Sequence, residues 1–215
     1  MDSFAEHERK CLRLSTDMAA QRAPGVRPAL GKSTSNLFRQ RDQGHTVRLD
    51  VRHFDRVLGI DRDCMVADVE GMTTYETLVD ETLRHGLLPA VVPQLKTITV
   101  GGAVSGLGIE SSSFRFGLVH ETVEEMEILL SDGRLIVCSP TREPDLFYGF
   151  PNSYGTLGYA LRLKIRLIPA KRYVHLAHTR FSDPGKYFEH IAAVGRLGPP
   201  DYLDGTVFGL SLIHI

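Results

Sequence analysis

Residues 97–113, with the sequence TITVGGAVSGLGIESSS, combine glycines and hydroxyl side chains at a density that suits phosphate binding. Gly101, Gly102, Gly106 and Gly108 fall within eight consecutive positions, and a serine cluster follows them. Glycine lacks a Cβ and tolerates positive φ, so successive backbone N–H groups can converge on an anion while hydroxyl groups occupy its remaining acceptor positions. The segment therefore predicts a phosphate-binding backbone, and a dinucleotide is the leading cofactor class.

Neither of the two common glycine motifs for nucleotides fits this segment. A Rossmann loop needs G-x-G-x-x-G between a strand and an apolar helix, whereas Gly106 and Gly108 are followed by Ser111 and no periodic helix opens at residue 114. A P-loop needs a Gly-Lys-Ser/Thr ending, which the segment lacks. The alternative interpretation is a glycine-rich turn that packs tightly against its own domain.

Length and composition set broad bounds on the protein. The chain has 215 residues, of which 42% are hydrophobic and 24% are charged, and its formal net charge is −1. This length allows one large domain or two small ones, and the composition is ordinary for a globular protein. Because the net charge is close to zero, the sequence argues against a nucleic-acid partner.

The spacing of cysteines and histidines predicts no metal site. Cys11, Cys64 and Cys138 are far apart and form no CxxC pair, so neither a zinc site nor a disulfide framework is indicated. His175 and His178 are the closest histidine pair, and on an extended segment their side chains would face opposite sides.

The sequence predicts neither a membrane span nor a secretory signal. No apolar stretch approaches the roughly 20 residues that a membrane helix requires. The N-terminus lacks the basic and apolar regions of a signal peptide. We therefore expect a cytoplasmic protein, and peripheral membrane association is left open.

Hydrophobic periodicity predicts an α+β fold. Residues 4–22 predict a charged helix, and a capping box from Thr73 to Glu76 opens a second one. SDGR at 131–134 predicts a hairpin turn, whereas residues 88–93 are too rich in proline for a central strand. Alternating apolar residues predict strands at 46–51, 57–60, 65–69, 126–130, 135–138 and 157–167. Because helices are missing between most strands, a doubly wound parallel sheet is disfavoured.

The last six residues, LSLIHI at 210–215, can be back-translated to a sequence that resembles the transposon-end adapter used in sequencing libraries. We expect these residues to be adapter-derived and the chain to be a C-terminally truncated fragment.

Several motifs together resemble one family closely. They are GLLPAVVPQL at 86–95, TVGGAVSGLGIESSS at 99–113, DLFY at 145–148, GTLG at 155–158 and IPAK at 168–171. This combination resembles the Δ24-sterol reductase (24-dehydrocholesterol reductase, Diminuto) branch of the PCMH-type, vanillyl-alcohol-oxidase-like FAD-binding flavoproteins. The resemblance extends from about residue 26 to residue 180.

The resemblance implies an FAD-binding domain of two α+β subdomains, followed by a substrate domain. The implied divisions are an N-terminal leader helix at 1–25, FAD-binding subdomain 1 at 26–95, FAD-binding subdomain 2 at 96–171 and the start of the substrate domain at 172–209. Because only the start of the substrate domain is expected here, the fragment alone is expected to be inactive.

In this family the glycine segment binds the FAD pyrophosphate, so its glycines would present backbone N–H groups and its Thr and Ser residues would supply hydroxyl groups. The cofactor-binding residues implied in this segment are Thr99, Val100, Gly101, Gly102, Ala103, Val104, Ser105, Gly106, Leu107, Gly108, Ile109, Glu110, Ser111 and Ser112. The resemblance thus agrees with the phosphate-binding backbone that the composition predicts.

A second phosphate loop is expected in the first subdomain. Lys32, Ser33, Thr34, Ser35 and Asn36 form the segment there with suitable donors, and Lys32 could place a point charge near phosphate oxygens. Many flavoproteins of this fold carry an Arg-Gly-Gly-Gly-His-Ser-like sequence at this loop, with a histidine that can bond covalently to the flavin. No such histidine stands here, so noncovalent FAD is implied. The alternative for the segment is a solvated turn.

Three further residues each have two interpretations. Gly155 and Gly158 would let the chain approach the flavin or adenine, or would simply form a tight turn. Glu110 would orient loop amides or meet ribityl or ribose hydroxyl groups. Its alternative is a solvent-facing carboxylate or an ion pair with Arg115.

The resemblance implies an FAD-dependent oxidoreductase in which flavin N5 carries hydride. NADPH would reduce the flavin, and the acceptor would be a C=C bond of a sterol-like or isoprenoid small molecule. An aldonolactone- or alditol-type FAD oxidase or dehydrogenase is the alternative enzyme. A FAD-stabilised binding module without turnover is the alternative of another class. The sequence identifies neither a catalytic residue nor an oligomeric state.

Overall fold

The computed structural model describes residues 2–20, 27–31, 46–198 and 200–207. The predicted second phosphate loop, Lys32, Ser33, Thr34, Ser35 and Asn36, lies outside the described residues, as do residues 210–215. The order of elements confirms the α+β prediction. In the described ranges, no helix is both long enough and apolar enough to cross a membrane.

The α-helices are α1 Ser3–Ala20, α2 Tyr75–Leu83, α3 Val100–Gly106, α4 Ser113–Phe116, α5 Pro144–Gly149 and α6 Pro184–Leu197, and Val119–Thr122 is a 3₁₀ turn. Helices α1, α2, α3 and α5 contribute buried residues to the cores that form on a large sheet. Helix α1 buries His7, Cys11, Leu14 and Met18, which share one face at helical spacing. The predicted N-terminal helix is therefore confirmed.

The strands form two sheets. They are β1 Arg27–Leu30, β2 Thr46–Leu49, β3 Val57–Asp61, β4 Val66–Glu70, β5 Leu87–Pro89, β6 Val123–Leu129, β7 Leu135–Cys138 and β8 Tyr159–Pro169. β1 and β2 pair in parallel as a small sheet. The large sheet is antiparallel, with the order β3-β4-β8-β6-β7, and β5 pairs with one end of β8.

Strand β8 is the centre of the large sheet, because it pairs with β4, β5 and β6. Leu163, Ile165 and Leu167 are buried in a core that also holds apolar residues of α2, α3 and α5. Side chains alternate between the faces of a strand, so Arg162 and Lys164 lie on the other face. The predicted strand and the predicted β6–β7 hairpin are both confirmed, with Gly133 at φ +89° in the turn.

The predicted boundary between residues 95 and 96 does not separate the sheets. Strands β3 and β4 precede it and strands β6–β8 follow it, yet all five belong to one sheet. The change from the small sheet to the large one falls between Leu49 and Val57. Antiparallel pairing of β4 with β8 joins the segments on either side of residue 95, and the subdomain division there stays a prediction. The other divisions stay predictions.

Two local predictions also differ from the structure. Helix α2 is capped by Thr74, whose hydroxyl accepts the N–H of Thr77 at 3.2 Å, rather than by Thr73. The Thr73 hydroxyl is buried and donates to the carbonyl of Arg56, and Glu76 pairs with Lys96. The proline-rich connector begins as the short strand β5, which tolerates prolines because it pairs on only one side in the described structure.

Candidate functional site

The first half of the glycine segment is a short helix rather than a loop. The hydroxyl of Thr99 caps α3 by accepting the N–H of Gly102 at 3.3 Å. Val100, Ala103 and Val104 are buried in the large core. Their side chains therefore hold the helix on the sheet, and any contact that these positions make with a cofactor must come from the backbone.

The glycines of this segment are needed where the chain packs closely and not for positive φ angles. None of the four has positive φ. A Cβ on Gly101 would lie 2.8 Å from the carbonyl oxygen of Gly71, and a Cβ on Gly108 would lie 2.6 Å from Cγ2 of Val119. Tight packing within the domain, the alternative interpretation of the sequence, therefore explains these two positions. Gly106 has room, since its nearest neighbour would be the Tyr154 ring at 3.7 Å.

The second half of the segment presents free backbone donors. Among the described residues, the N–H groups of Gly108, Ile109, Ser111 and Ser112 have no hydrogen-bond acceptor. Leu107, which precedes them, has φ +58° and ψ +118°, a conformation that costs a non-glycine residue free energy and that is concentrated at ligand sites. Four unpaired donors beside a strained residue form a backbone that can bind an anion.

The predicted hydroxyl ligands fall into two groups. Ser112 is buried, and its hydroxyl donates to the carbonyl of Ala90 at 2.9 Å, while Ser105 donates to the carbonyl of Gly102 at 3.4 Å. The hydroxyl of Ser111 has no partner within the described ranges. Ser111 is therefore the serine of this pair that remains available to a ligand, whereas Ser112 fastens the segment to the chain that follows β5.

We expect Ser112→Ala to lower the free energy of unfolding by about 1–2 kcal/mol, because it leaves the buried carbonyl of Ala90 without a donor. Urea denaturation would measure the change. The matched control is Ser111→Ala, which removes a hydroxyl without an internal partner and should leave stability nearly unchanged. Equal stability of the two variants would contradict the structural role of Ser112.

Glu110 does not form the ion pair that the sequence offered as an alternative. Arg115 instead contacts Asp201, with Nη1 and Oδ1 2.7 Å apart. Burial and the charge of Asp204 raise the pKa of Glu110, and the N–H of Gln94 opposes this change. The Glu110 carboxylate thus lies in the segment without a cationic side-chain partner among the described residues.

The turn at residues 151–158 also contributes to the site, although the sequence predicted a role only for Gly155 and Gly158 within it. The N–H of Tyr154 donates to the carbonyl of Ser105 at 3.0 Å, which joins this turn to the end of α3. Asn152 and Tyr154 both have positive φ. The hydroxyl of Ser153 is buried and has no hydrogen-bond partner in the part of the chain that the structure describes. The sequence signal was the turn-forming composition PNSYG, which gave no role to Ser153.

Gly155 and Gly158 are explained by the backbone of the same turn. Their φ values are +84° and +143°. A Cβ on Gly158 would lie 2.5 Å from the carbonyl oxygen of Leu129, and one on Gly155 would lie 3.3 Å from the Tyr159 ring. The tight-turn interpretation therefore accounts for both glycines without a ligand, and their contact with a cofactor stays a prediction.

Residues after β8 extend the site beyond the segment. The N–H of Leu203 donates to the carbonyl of Ser111 at 2.8 Å. A cavity of about 450 Å³ lies between the end of the glycine segment and the chain that includes α6. Its walls include apolar Ile109, Phe114 and Ile191 together with the Glu110 side chain. The free N–H groups of the segment are therefore adjacent to a space that can hold part of a small molecule.

Comparisons with known proteins identify relatives of this chain. Residues 12–139 match a protein family described as FAD binding domain. A Delta(24)-sterol reductase of Pisum sativum is 40% identical over 131 residues, which are 60% of this chain and 23% of that protein. The Delta(24)-sterol reductase of Homo sapiens is 39% identical over 137 residues, which are 64% and 26% of the two chains.

A relative with a different name is cytokinin dehydrogenase 10 of Oryza sativa subsp. japonica. It is 32% identical over 142 residues, which are 66% of this chain and 24% of that protein. The chain thus spans about a quarter of the length of the curated relatives that it matches.

Proposed function

Because the chain belongs to the FAD binding domain family, we propose that it binds FAD noncovalently, with the pyrophosphate on the N–H groups of Gly108, Ile109, Ser111 and Ser112. The observation that supports this site most directly is that these four donors lack acceptors among the described residues. Phosphate oxygens are strong acceptors and would satisfy them.

The remaining cofactor contacts belong to the same proposal. The segment Thr99–Ser112 would line the cofactor through its backbone, and the hydroxyls of Ser111 and Ser153 would bind it through side chains. Lys32, Ser33, Thr34, Ser35 and Asn36 would form a second phosphate loop, which their charge and hydroxyl groups support. Gly155 and Gly158 would contribute by shaping the turn that holds Ser153.

Ser153→Ala should weaken FAD binding by about threefold to tenfold, because one net hydrogen bond contributes about 0.5–1.5 kcal/mol. Removing a buried hydroxyl that has no described partner should not destabilise the protein itself. Flavin fluorescence quenching during titration with FAD would measure the affinity, and Ser139→Ala, in the turn after β7, is the control. Unchanged affinity of the Ser153 variant would exclude this contact.

The proposed reaction follows the Δ24-sterol reductase branch, which the family match and the sterol reductase relatives identify. The chemistry that bound FAD supplies is hydride transfer through N5, with NADPH as the proposed electron donor. The hydride would be added to one carbon of a C=C bond in a sterol-like or isoprenoid substrate while an acid protonates the other carbon. We assign no residue of this chain to that acid. A substrate of this kind partitions into lipid, so we also propose peripheral membrane association.

Anaerobic titration of the flavin-loaded full-length protein tests the reaction, because this chain is expected to contain only the start of the substrate domain. We expect NADPH to bleach the flavin absorbance and a sterol with a side-chain double bond to restore it. Flavin that is bound but inert to NADPH would overturn the reductase proposal and leave FAD binding intact, so the two failures are distinguishable.

A FAD dehydrogenase or oxidase is the second candidate, because one relative is named cytokinin dehydrogenase. In that class the substrate donates hydride to the flavin, as it does in the aldonolactone- and alditol-type enzymes that share this kind of domain. Bleaching by a polyol or an amine, with NADPH inert, would favour it. Bound FAD that no donor reduces would favour a binding module in which the cofactor only stabilises the fold.

A further inference from the structure

A buried cluster of ionisable side chains joins α1 to the large sheet. His7 is 2% exposed, and its Nε2 lies 2.9 Å from Oε2 of Glu127 and 3.2 Å from Sγ of Cys11. On the other side of the ring, Nδ1 lies 2.8 Å from Oε1 of Glu70, which is fully buried. The cluster therefore brings an imidazole, a thiol and two carboxylates together where water has little access.

The chemistry of these groups is that of a metal ligand set. Nε2 of His7, Sγ of Cys11 and a carboxylate oxygen of Glu127 lie within 4.8 Å of one another. His7 and Cys11 are four residues apart on α1, which places both side chains on one face of the helix. Imidazole nitrogen, thiolate sulfur and carboxylate oxygen are the three ligand types that bind Zn²⁺ in proteins.

The position of Glu70 strengthens this argument. Histidine ligands almost always donate their second ring N–H to a carboxylate or carbonyl, which fixes the tautomer and raises the basicity of the nitrogen that binds the metal. Glu70 occupies that position at Nδ1. When Nδ1 carries the proton, Nε2 presents a lone pair toward Glu127 and Cys11, so three electron-pair donors converge.

We propose that His7, Cys11 and Glu127 bind a divalent transition-metal ion of the zinc class, with Glu70 orienting His7. The ion would attach α1 to strand β6 through Glu127 and, by way of Glu70, to β4. Val100 of α3 belongs to the same buried core as Val69 and Leu163. Adjacent residues of a strand point to opposite faces, so Glu70 and Arg162 lie on the face away from α3. The site is therefore structural and lies across the sheet from the proposed FAD site.

A proton on Nε2 is the competing occupant. Burial opposes it, but hydrogen bonds with Cys11, Glu127 and Glu70 raise the pKa of His7 to about 11. Lys10 contacts Glu70 at 2.5 Å and Arg162 contacts Glu127 at 3.7 Å, so both carboxylates also face cationic side chains. The thiol beside the ring is the ligand type that favours zinc.

Titration of the full chain with Co²⁺ tests the site, because a cobalt–thiolate bond gives a charge-transfer absorption that a protonated imidazole cannot give. We expect the wild-type protein to bind a single ion with this absorption, and Cys11→Ser to lose it. Cys138→Ser is the matched control, since Cys138 is also buried and free, and Cys64→Ser is the exposed control. Both controls should keep the absorption.

Glu70→Gln provides a second variant that keeps the shape of the side chain. We expect it to weaken Zn²⁺ binding by about 10- to 100-fold, as loss of an orienting carboxylate does in other zinc sites. Competition with a chelator would measure the affinity, and far-ultraviolet circular dichroism would verify folding. A folded wild-type protein that binds no Co²⁺ or Zn²⁺, or a Co²⁺ absorption that survives Cys11→Ser, would overturn the proposal and leave the cluster as an imidazolium held by two carboxylates.

Discussion

Gly158→Ala is expected to lower the free energy of unfolding by about 3 kcal/mol or more, which is among the largest effects that a single substitution produces. An alanine Cβ would lie 2.5 Å from the carbonyl oxygen of Leu129 and 2.9 Å from Cγ2 of Ile128. The φ of +143° is also one that a side chain rarely adopts. Leu129 and Ile128 have little freedom to move, because both belong to β6, which is paired on both sides with β7 and β8. Urea denaturation would measure the loss.

The control is Gly106→Ala. Gly106 lies in α3 with negative φ, and a Cβ there would meet only the Tyr154 ring, at an ordinary contact distance of 3.7 Å. Alanine favours helix over glycine by about 1 kcal/mol, so this variant should be as stable as the wild type or slightly more so. A Gly158→Ala protein of normal stability that fails to bind FAD would instead support the direct cofactor contact that the sequence offered.

The sheet was predictable because its pattern is local. In β8 every second residue is buried, so apolar residues alternate in the sequence as they do in a strand. The β6–β7 hairpin has an Asp-Gly turn, which is also a local signal. Local signals also predicted α1 and α2, although Thr74 rather than Thr73 caps α2. Periodicity gave no information about partners, so the pairing of β4 with β8, and with it the sheet boundary near residue 50, was not predictable from either strand.

The glycine segment was predictable in part. Its density of glycine and serine identified a region with free backbone donors, but it did not predict a helix, because glycine disfavours helix by about 1 kcal/mol per residue. Helix α3 is stabilised by tertiary contacts instead. The N–H of Gly101 donates to the carbonyl of Gly71 at 2.9 Å, and Val100 and Val104 are fully buried. Such contacts lie outside any local pattern.

The cluster around His7 illustrates a second limit of sequence reasoning. Glu70 and Glu127 lie 63 and 120 residues after His7 along the chain. The sequence predicts no metal site because it has no CxxC pair and because His175 and His178 would face opposite sides of an extended segment. Apart from the His7–Cys11 pair on α1, the cluster is assembled from residues far apart on one helix and two strands, so short spacings in the sequence do not predict it.

Arg162→Leu should destabilise the protein by about 3 kcal/mol, because it removes the cation from a group of carboxylates in the middle of β8. The Arg162 side chain is 13% exposed, and its guanidinium contacts Asp68, Glu125 at 2.5 Å and Glu127 at 3.7 Å. Removing one partner of a buried ion pair leaves an uncompensated charge, and this costs about 3–5 kcal/mol. The lower end applies here because Glu125 is 31% exposed and water screens part of its charge.

Two further variants test whether the charge of Arg162 or its packing causes the loss of stability. Arg84→Leu removes an arginine whose side chain is 67% exposed beside Glu81, and it should change stability little, because exposed ion pairs contribute little free energy. Combining Arg162→Leu with Asp68→Leu and Glu125→Leu removes two of the three carboxylates that lose this cation, and Glu127 keeps its contact with His7. The triple variant should therefore recover most of the lost stability. Equal destabilisation of the single and triple variants would show instead that the guanidinium acts by filling space between the strands.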